Sequence, residues 1–219
     1  RPSASSAMRA AVSVPVTVKC RIGIDDQDSE ADLTRFIEAV AEAGCSTFIV
    51  HARKAWLKGL SPKENRELPP LDYQRVYRLK AARPDLTIVI NGGIKSIAEA
   101  RAHLAHVDGV MLGRAAYQTP RLLMAVDEAL FGAPSSHAHP MMPLMRMIPY
   151  IERELARGEK LSAITRHVLG LAQGLPGARR FRRHLTEGAI ERGAGVEVVL
   201  EALRKLSFET FEIFPQAAE

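Results

Sequence analysis

Cysteine and aromatic residues are scarce in this sequence. Two cysteines, Cys20 and Cys45, occur among 219 residues, and aromatic residues make up 5% of the chain. Both cysteines lie in apolar, strand-like sequence without a CxxC motif or a His/Cys cluster, so the pattern favours buried free thiols over a disulfide and indicates no metal site. No apolar run reaches the roughly 18 to 20 residues that a membrane span needs. The sequence therefore excludes a disulfide-rich scaffold and predicts a protein that does not enter a membrane.

The N-terminal residues, 1–16, also lack the continuous apolar segment of a signal peptide. The chain begins without an initiator Met and within a segment of helical pattern. From this beginning we expect a fragment of a longer protein.

Positive charge is in excess. The net charge is +5 and the sequence pI is near 9.4, within a composition that is 47% apolar and 25% charged, as in soluble globular proteins. This excess favours a polyanionic partner, although many basic proteins bind no nucleic acid.

Four short apolar runs recur in the first part of the chain. Each is rich in β-branched residues, which is typical of strands in a parallel sheet that is buried on both faces. Helical periodicity follows every run; Gly44 is a plausible C-terminal cap of one helix, and Ser96 a plausible N-cap of another, with Glu99 three residues later. The predicted strands are 14–20, 46–53, 86–93 and 107–114, and the predicted helices are 30–44, 71–85, 96–107 and 121–132.

This alternation predicts the fold class. Strands that alternate with helices indicate an α/β fold with a parallel sheet and right-handed crossovers. Four such units correspond to half of a TIM (β/α)8 barrel, and a doubly wound sheet is the alternative. The barrel is favoured because chemically distinctive residues follow the strands in all four units, where barrel enzymes carry their sites. We expect the C-terminal half of a TIM barrel at residues 1–135.

The rest of the chain has a different organisation. Residues 132–140 have the composition of a linker, and no strand pattern follows them. A small all-helical domain at residues 136–219 accounts for this part of the sequence. Its predicted helices are 141–158, 161–174, 177–190 and 195–208.

Glycine follows the third and fourth predicted strands. Asn91-Gly92-Gly93 comes after the third, and Gly113-Arg114 after the fourth. Glycine lets backbone N–H groups approach phosphate oxygens, and the arginine can add a charge-assisted hydrogen bond. The same glycines can simply form tight turns. Because loops after late barrel strands often bind phosphate, two such loops in succession favour a phosphate-bearing ligand.

Two further polar residues lie at the ends of the first two predicted strands, Lys19 and His51. Either one alone is better explained without a ligand, Lys19 as a solvated charge and His51 as a partly buried histidine with satisfied hydrogen bonds. Together with the glycine loops they place candidate ligand residues at all four strand ends, where side chains point over the mouth of a barrel.

The connection after the second strand, residues 51–70, is longer than an ordinary βα loop of about 2–6 residues. It combines basic residues with Trp56, which suits a phosphodiester backbone and base stacking. A solvated charged loop anchored by Trp56 is the alternative. Its basic residues are Arg53, Lys54, Lys58, Lys63 and Arg66.

A second basic cluster lies at residues 177–184. On a helix, so dense a set of like charges is destabilising unless an anion neutralises it. Pairing with Glu187 and Glu191 is the alternative, and we favour an RNA contact. The cluster consists of Arg179, Arg180, Arg182, Arg183 and His184.

Five segments of the chain form a characteristic combination. They are VPVTVKCRIGIDD, FIVHARKAWLKGLSPKENRELPPLDY, INGGIKS, DGVMLGRAAYQTP and GLPGARRFRRHL. The first four resemble the A subfamily of tRNA-dihydrouridine synthases, and the fifth resembles the C-terminal helical domain of that subfamily. The resemblance runs from about residue 8 to about residue 210, and HARKAWLKGLSPKENR is its most specific part.

The resemblance implies a TIM barrel that binds FMN, followed by a helical domain that binds tRNA. Such enzymes reduce the C5–C6 double bond of uridines in the D-loop; NADPH re-reduces the flavin, and a cysteine provides a proton to the flipped-out base. We expect a cytoplasmic enzyme, monomeric when intact, that binds neither membrane nor DNA. By position, the resemblance implies FMN contacts from Lys19, His51, Asn91, Gly92, Gly93, Gly113 and Arg114. It implies tRNA contacts from Lys63, Arg66, Arg179 and Arg182, and we add Arg53 and Lys54 from the basic loop.

The resemblance also places the catalytic cysteine N-terminal to all of these segments. Neither Cys20 nor Cys45 matches it, so we expect no catalytic residue in this chain and no activity from the chain alone. A half barrel has two open sheet edges, through which we expect the chain to self-associate. Two other functions stay open, a truncated protein that binds tRNA without catalysis and an FMN barrel that reduces a small molecule, as a dihydroorotate dehydrogenase relative would. The basic loop and the arginine-rich helix argue against the second.

Overall fold

The computed structural model describes residues 4–134 and 139–206, and the chain divides into two compact units, Arg1–Gly113 and Arg114–Glu219. The elements of the N-terminal unit are α1 (Ala4–Ala11), β1 (Val18–Arg21), α2 (Glu30–Glu42), β2 (Thr47–His51), a 3-10 helix (Glu64–Arg66), α3 (Tyr73–Ala82), β3 (Thr87–Asn91), α4 (Ile97–Leu104) and β4 (Gly109–Met111).

The four strands form one parallel sheet in the order β1-β2-β3-β4. Strands that are consecutive in the chain are neighbours throughout, as in a barrel, whereas a doubly wound sheet reverses its order at a switch point. The α/β prediction is confirmed, and the sheet is part of a TIM barrel. The predicted strand 107–114 is reduced to Gly109–Met111, because the pairing with β3 ends at Met111.

One face of the sheet packs against α2, α3 and α4. Burial of apolar side chains between strands and helices is the main favourable term in the stability of such a layer. The core contains Phe48 and Val50 of β2, Ile88 and Ile90 of β3, Leu33 and Ile37 of α2, Val76 and Leu79 of α3, and Ala100 of α4.

Local capping determines where the helices of this unit begin and end. The Ser96 hydroxyl accepts a hydrogen bond of 3.1 Å from the Glu99 backbone N–H and caps α4, as predicted. Gly44 follows α2 with a φ of +91°, and its N–H donates to the Ala41 carbonyl over 2.7 Å. The predicted N-terminal and C-terminal caps are therefore both confirmed.

The second unit is helical throughout its described part. A core that includes Met141, Leu144, Ile151, Phe181, Leu185, Val199 and Leu203 joins its helices. Its elements are α5 (Arg114–Gln118), a 3-10 helix (Pro120–Ala125), α6 (Val126–Phe131), α7 (Met142–Arg146), α8 (Ile148–Ala156), α9 (Leu161–Thr165), a 3-10 helix (Leu169–Ala172), α10 (Ala178–Gly188) and α11 (Val196–Arg204).

Several of the predicted helices in this unit are divided. The predicted helix 141–158 consists of α7 and α8, and Pro149, which has no backbone N–H, lies in the first turn of α8. The predicted helix 121–132 begins as 3-10 helix and becomes α-helical only at Val126. Residues 135–138 of the predicted linker and 207–208 of the last predicted helix lie outside the described residues.

The division into units falls at Gly113, ahead of the predicted domain boundary at residue 135. The helices from α5 to α6 are thus grouped with the second unit. None of the described helices combines the length and the apolarity that crossing a membrane needs.

Candidate functional site

The two faces of the sheet carry different side chains. On the face that packs against the helices, alternate residues are apolar and buried, as at Phe48 and Val50. On the opposite face, which we call the polar face, the alternate residues include Lys19, His51 and Asn91. Residues in register on neighbouring parallel strands point to the same face, so these three predicted ligands share one face of the sheet.

The register forms a polar row at the C-terminal edge of this face. Arg21 is paired with His51, and His51 is paired with Asn91. Neighbouring strands lie about 4.8 Å apart, so the side chains of the row are adjacent. Lys19 is paired with Ile49 and therefore lies two residues before the row. The structure brings three predicted residues together and adds Arg21 to them.

The turn after β3 depends on its two glycines. Gly92 has a φ of +121° and Gly93 a φ of +71°, which favour glycine over other residues. A Cβ on Gly92 would lie 2.7 Å from Cδ2 of the buried His51 ring, so a side chain there would clash. The Tyr73 hydroxyl donates to the Gly92 carbonyl over 2.7 Å, and the Asn91 amide nitrogen donates to the Met111 carbonyl over 2.8 Å. These two hydrogen bonds therefore hold the glycine turn and the C-terminal ends of β3 and β4.

Positive charge converges at the same edge. Burial lowers the pKa of Lys19 below its ordinary value, and the charge of Arg21 lowers it further. Burial also lowers the pKa of Arg21, and the guanidinium groups of Arg66 and Arg53 add to this effect. A bound anion would relieve the repulsion among these cations, so the edge is suited to a phosphate or a phosphodiester.

The long loop after β2 is anchored by hydrogen bonds to the rest of the unit. Arg21 Nη1 donates to the carbonyls of Lys54, over 3.0 Å, and of Asn65, over 2.9 Å. The Asn65 side chain in turn accepts from the Trp56 N–H over 2.8 Å and donates to the Trp56 carbonyl over 2.7 Å. Arg53 donates to the Pro69 carbonyl. The loop is thus an ordered surface that presents its remaining basic side chains.

The predicted RNA contacts of this loop differ in their surroundings. Lys54 Nζ forms an ion pair of 2.6 Å with Asp28 and lies 5.8 Å from the centroid of the Trp56 ring. Lys63 and Arg66 are exposed, in and beside the 3-10 helix of the loop. The charge of Lys54 is therefore largely neutralised by Asp28, whereas Lys63 and Arg66 lie on the surface.

Both cysteines are free thiols. Burial raises the pKa of Cys20 to about 11, although the charge of Lys19 opposes the shift. Cys20 is paired with Val50 and packs with the helix-facing core, away from the polar face. The buried Cys45 thiol lies 3.3 Å from the Thr47 carbonyl oxygen. Because the thiolate is the reactive form, neither cysteine has the surroundings of a reactive one.

Gly113 and Arg114 fall in different units. A Cβ on Gly113, the last residue of the first unit, would meet nothing within 4 Å, so contacts do not require glycine there. Arg114 is the first residue of α5 in the second unit.

The arginine-rich segment forms α10 in the second unit. Ala178, Phe181 and Leu185 are buried along one side of this helix. Arg179, Arg180 and Arg183 are exposed and Arg182 is half-buried, and Arg183 pairs with Glu187 over 2.9 Å. The predicted pairing of the cluster with Glu187 therefore occurs at Arg183, and the helix still presents a basic surface.

Three residues that organise the site were missed at the level of sequence. They are Arg21, Asn65 and Tyr73, whose hydrogen bonds hold the loop after β2 and the glycine turn. Arg21 could have been found, because it lies two residues after Lys19 on a strand and so shares its face. The other two carried no signal in the sequence.

Curated relatives of the chain share a single name. A protein of Vibrio cholerae named tRNA-dihydrouridine(20/20a) synthase is 58% identical over 205 residues, which cover 93% of this chain and 63% of that protein. Proteins of the same name from Salmonella typhimurium and Escherichia coli strain K12 are 61% and 60% identical over 199 residues. These matches cover 90% of this chain and 60% and 58% of the two proteins. The chain thus spans about three fifths of the length of these relatives.

The family comparison covers almost the whole chain. Residues 3–207 match the family described as dihydrouridine synthase (Dus). The parallel sheet, the polar row at its C-terminal edge and the match over these residues agree with one another. The chain belongs to the dihydrouridine synthase family.

Proposed function

We propose that this chain takes part in the FMN-dependent reduction of uridine to 5,6-dihydrouridine in the D-loop of tRNA, with NADPH as the reductant. The observation that carries the proposal is the row of Arg21, His51 and Asn91 with Lys19 on the same face, in a member of the dihydrouridine synthase family. Three fifths of the length of each relative is represented here, so the proposal concerns the activity to which this part contributes.

The residues of the row fit FMN. A flavin mononucleotide combines a ring system that gains negative charge on reduction with an anionic phosphate. Lys19 supplies a cation on the polar face, and His51 and Asn91 supply hydrogen-bonding groups beside it. The turn at Gly92 and Gly93 lets the backbone approach a ligand closely.

Each residue would hold a different part of this cofactor. Lys19 would stabilise negative charge near N1 and the C2 carbonyl of the ring, and His51 would hydrogen-bond the ring or its phosphate. Asn91, Gly92 and Gly93 would hold the phosphate, and we assign the same role to Gly113 and Arg114. When bound, FMN would supply the hydride for the C5–C6 double bond of uracil.

We propose that neither cysteine of this chain supplies the proton for the other carbon of that bond. Cys20 lies on the helix-facing side of the sheet, and burial raises its pKa to about 11. Cys45 is buried, and its thiol contacts backbone carbonyls. The expectation that the donor cysteine lies outside this chain stays a prediction.

The tRNA contacts are proposed on the two basic surfaces. Lys63 and Arg66 are exposed on the anchored loop, and Arg66 is close enough to Arg21 for its charge to lower the pKa of Arg21. Arg179 and Arg182 lie on α10. Arg53 and Lys54 complete the proposed set; Lys54 contributes least because Asp28 already neutralises it.

The test is to assay the longest natural protein that contains this chain. It is incubated with an unmodified tRNA transcript and NADPH, and dihydrouridine is measured by mass spectrometry of the digested RNA. We expect dihydrouridine to form and FMN to co-purify with the protein. Binding of tRNA without FMN or NADPH consumption would show a non-catalytic protein, and NADPH consumption driven by a small molecule instead of tRNA would show a different oxidoreductase.

A variant links the activity to the polar face. Lys19→Met keeps the aliphatic stem and removes the charge, so we expect slower flavin reduction and less dihydrouridine, by about tenfold or more. Lys160→Met, at an exposed lysine of the second unit, is the matched control and should behave as the wild type. Equal activity in both variants would contradict the role proposed for Lys19.

A further inference from the structure

A hydrogen-bonded chain of three side chains lies on the surface of the second unit. The Tyr117 hydroxyl of α5 is 2.9 Å from Nδ1 of His167, and Nε of Arg166 donates to Nε2 of the same ring over 3.0 Å. The tyrosine and histidine rings meet edge to face, with their centroids 6.0 Å apart. All three residues are exposed, and Tyr117 retains 59% of its accessible surface.

The hydrogen bonds from Arg166 through His167 to Tyr117 all run in one direction. Nε of Arg166 always carries a proton, so Nε2 of His167 acts as the acceptor and carries none. The proton of the imidazole ring is then on Nδ1, which donates to the Tyr117 oxygen. The Tyr117 hydroxyl proton is left to donate outward, into solvent or to a ligand. A chain of hydrogen bonds that begins at a cation polarises its last donor, so this hydroxyl is suited to an anionic acceptor.

Close packing between a 3-10 helix and α5 brings these three hydrogen-bonded side chains together. A Cβ on Gly170 would lie 2.6 Å from the Gln118 carbonyl oxygen, so only glycine lets the 3-10 helix at Leu169–Ala172 approach the end of α5 this closely. That approach places His167, which precedes the 3-10 helix, beside Tyr117.

Two more arginines contact the same segment. Arg121 Nη1 donates to the Gln173 carbonyl over 3.4 Å, and Arg182 Nη1 is 3.5 Å from Oε1 of Gln173. Arg121 and Arg182 therefore contact Gln173 from two different helices, and Arg166, which precedes His167 in the sequence, contacts the His167 ring. Several cations with one polarised hydroxyl donor match the repeated phosphates of a nucleic acid better than a single small anion.

We infer that this surface binds the sugar–phosphate backbone of RNA, with the Tyr117 hydroxyl donating to a phosphate oxygen and with Arg121 and Arg182 neutralising neighbouring phosphates. The inference rests on the proposed function for the identity of the RNA, a tRNA. It adds Tyr117 and Arg121 to the proposed contacts, with Arg166 and His167 as positioning residues that act through the Tyr117 hydroxyl.

Salt dependence separates the two kinds of contact. The slope of log affinity against log salt counts the phosphates that cations neutralise, and a neutral hydroxyl does not enter that count. Tyr117→Phe should therefore weaken tRNA binding by about tenfold at fixed salt and leave the slope unchanged. Arg121→Gln and Arg182→Gln should each reduce the slope by about one. Affinities are measured by fluorescence anisotropy at several salt concentrations on the longest natural protein that contains the chain.

The control is Tyr150→Phe, at another exposed tyrosine of the same unit. Tyr150 lies on α8, and its ring centroid is 5.9 Å from Cζ of Arg153. It should bind tRNA as the wild type does. Because Tyr117 is exposed, its replacement should leave the fold intact, which a thermal melt verifies. Unchanged tRNA affinity in Tyr117→Phe would overturn the inference, and so would a loss of equal size in Tyr150→Phe.

The role of the chain of donors is tested with His167→Phe. If Arg166 acts on Tyr117 through His167, the loss caused by Tyr117→Phe should be much smaller in the His167→Phe background. Fully additive losses would show that His167 does not transmit the effect and would overturn the directional arrangement. If the wild-type protein showed no salt-dependent tRNA binding, the proposed function itself would fail. If the wild-type protein bound tRNA and the Tyr117 variants bound it with the same affinity, the inference alone would fail.

Discussion

Gly92 is constrained from two sides. Its φ of +121° is a conformation that residues with a side chain rarely adopt, and the ring of His51 occupies the space where a Cβ would project. The sequence suggested the glycine for its approach to phosphate, and the structure adds that the ring of His51 requires it. Gly92 thus allows both the turn after β3 and the position of the His51 ring, a proposed FMN contact.

We therefore expect Gly92→Ala to lower the free energy of unfolding by about 2–4 kcal/mol, because backbone strain and a clash with the buried His51 ring add together. Urea unfolding measures the effect. Gly59→Ala is the matched control, since Gly59 also has a positive φ, +82°, but a Cβ there meets nothing within 4 Å. Only strain remains at that position, about 1 kcal/mol. Equal losses in the two variants would show that the contact with His51 is unimportant.

The sequence predicted some residues of the candidate site and not others. Lys19, His51 and Asn91 were predicted because a residue at the end of an apolar run has a definite place on a parallel sheet. Asn65 could not be predicted, because its two hydrogen bonds to Trp56 join positions within one irregular loop. The roles of the individual ligands stay predictions.

At the scale of elements, local rules succeeded where the partners are close in sequence. The caps at Gly44 and Ser96 depend on residues within three positions and were predicted. The division of the helix 141–158 was missed, although Pro149 was visible in the sequence. The anchoring of the long loop depends on Asp28, which is 26 residues from Lys54 and 47 from Arg75, and no local pattern reveals it.

Asp28 joins three elements of the N-terminal unit. It lies between β1 and α2, pairs with Lys54 of the loop over 2.6 Å and accepts from Arg75 of α3 over 2.9 Å. Burial alone would raise the pKa of Asp28, but hydrogen bonds from Lys54 and Arg75 lower it below its ordinary value of 3.8 overall. The carboxylate is therefore stabilised in the folded chain.

We expect Asp28→Asn to lower the free energy of unfolding by about 1–2 kcal/mol at neutral pH, since the cations lose a half-buried partner. The contribution of a carboxylate with a lowered pKa is present above 3.8 and is lost as the pH falls through the folded-state pKa. The difference between wild type and variant should therefore decrease as the pH falls below 3.8, which urea unfolding between pH 7 and pH 3 measures. Asp26→Asn, at an exposed neighbour, should match the wild type throughout. A difference that stays the same from pH 7 to pH 3 would contradict the ion-pair explanation.

At the scale of the whole molecule, the alternation of strands and helices predicted the order of the sheet. The domain boundary expected at residue 135 stays a prediction, and the compact units divide at Gly113. The helices after β4 were assigned to the barrel because they continue the strand–helix alternation. In the structure they group with the second unit, in which Gly170 lets a 3-10 helix reach α5. The spacing of apolar residues in the sequence shows that strands and helices alternate. The compact unit to which a helix belongs depends on contacts between residues that are distant in the sequence.

The sheet itself leads to a prediction about association. Within the described residues, β1 and β4 each pair with one strand, so each presents unpaired backbone groups along its outer edge. Edges of this kind can pair with another chain. We expect the 219-residue chain, produced by itself, to associate reversibly, with a sedimentation coefficient that rises with protein concentration.

A charge placed on an edge strand should oppose that association, because it would have to be accommodated in the new pairing. Met111→Lys puts a lysine on β4 at the edge, and Thr87→Lys puts one on the central strand β3, on the same face. The two variants have the same net charge, so general repulsion between molecules affects both alike. Met111→Lys should sediment mainly as a monomer at concentrations where Thr87→Lys still associates. If both variants became monomeric together, the polar face would be the contact; a wild-type chain that is monomeric at all concentrations would show that its edges are protected.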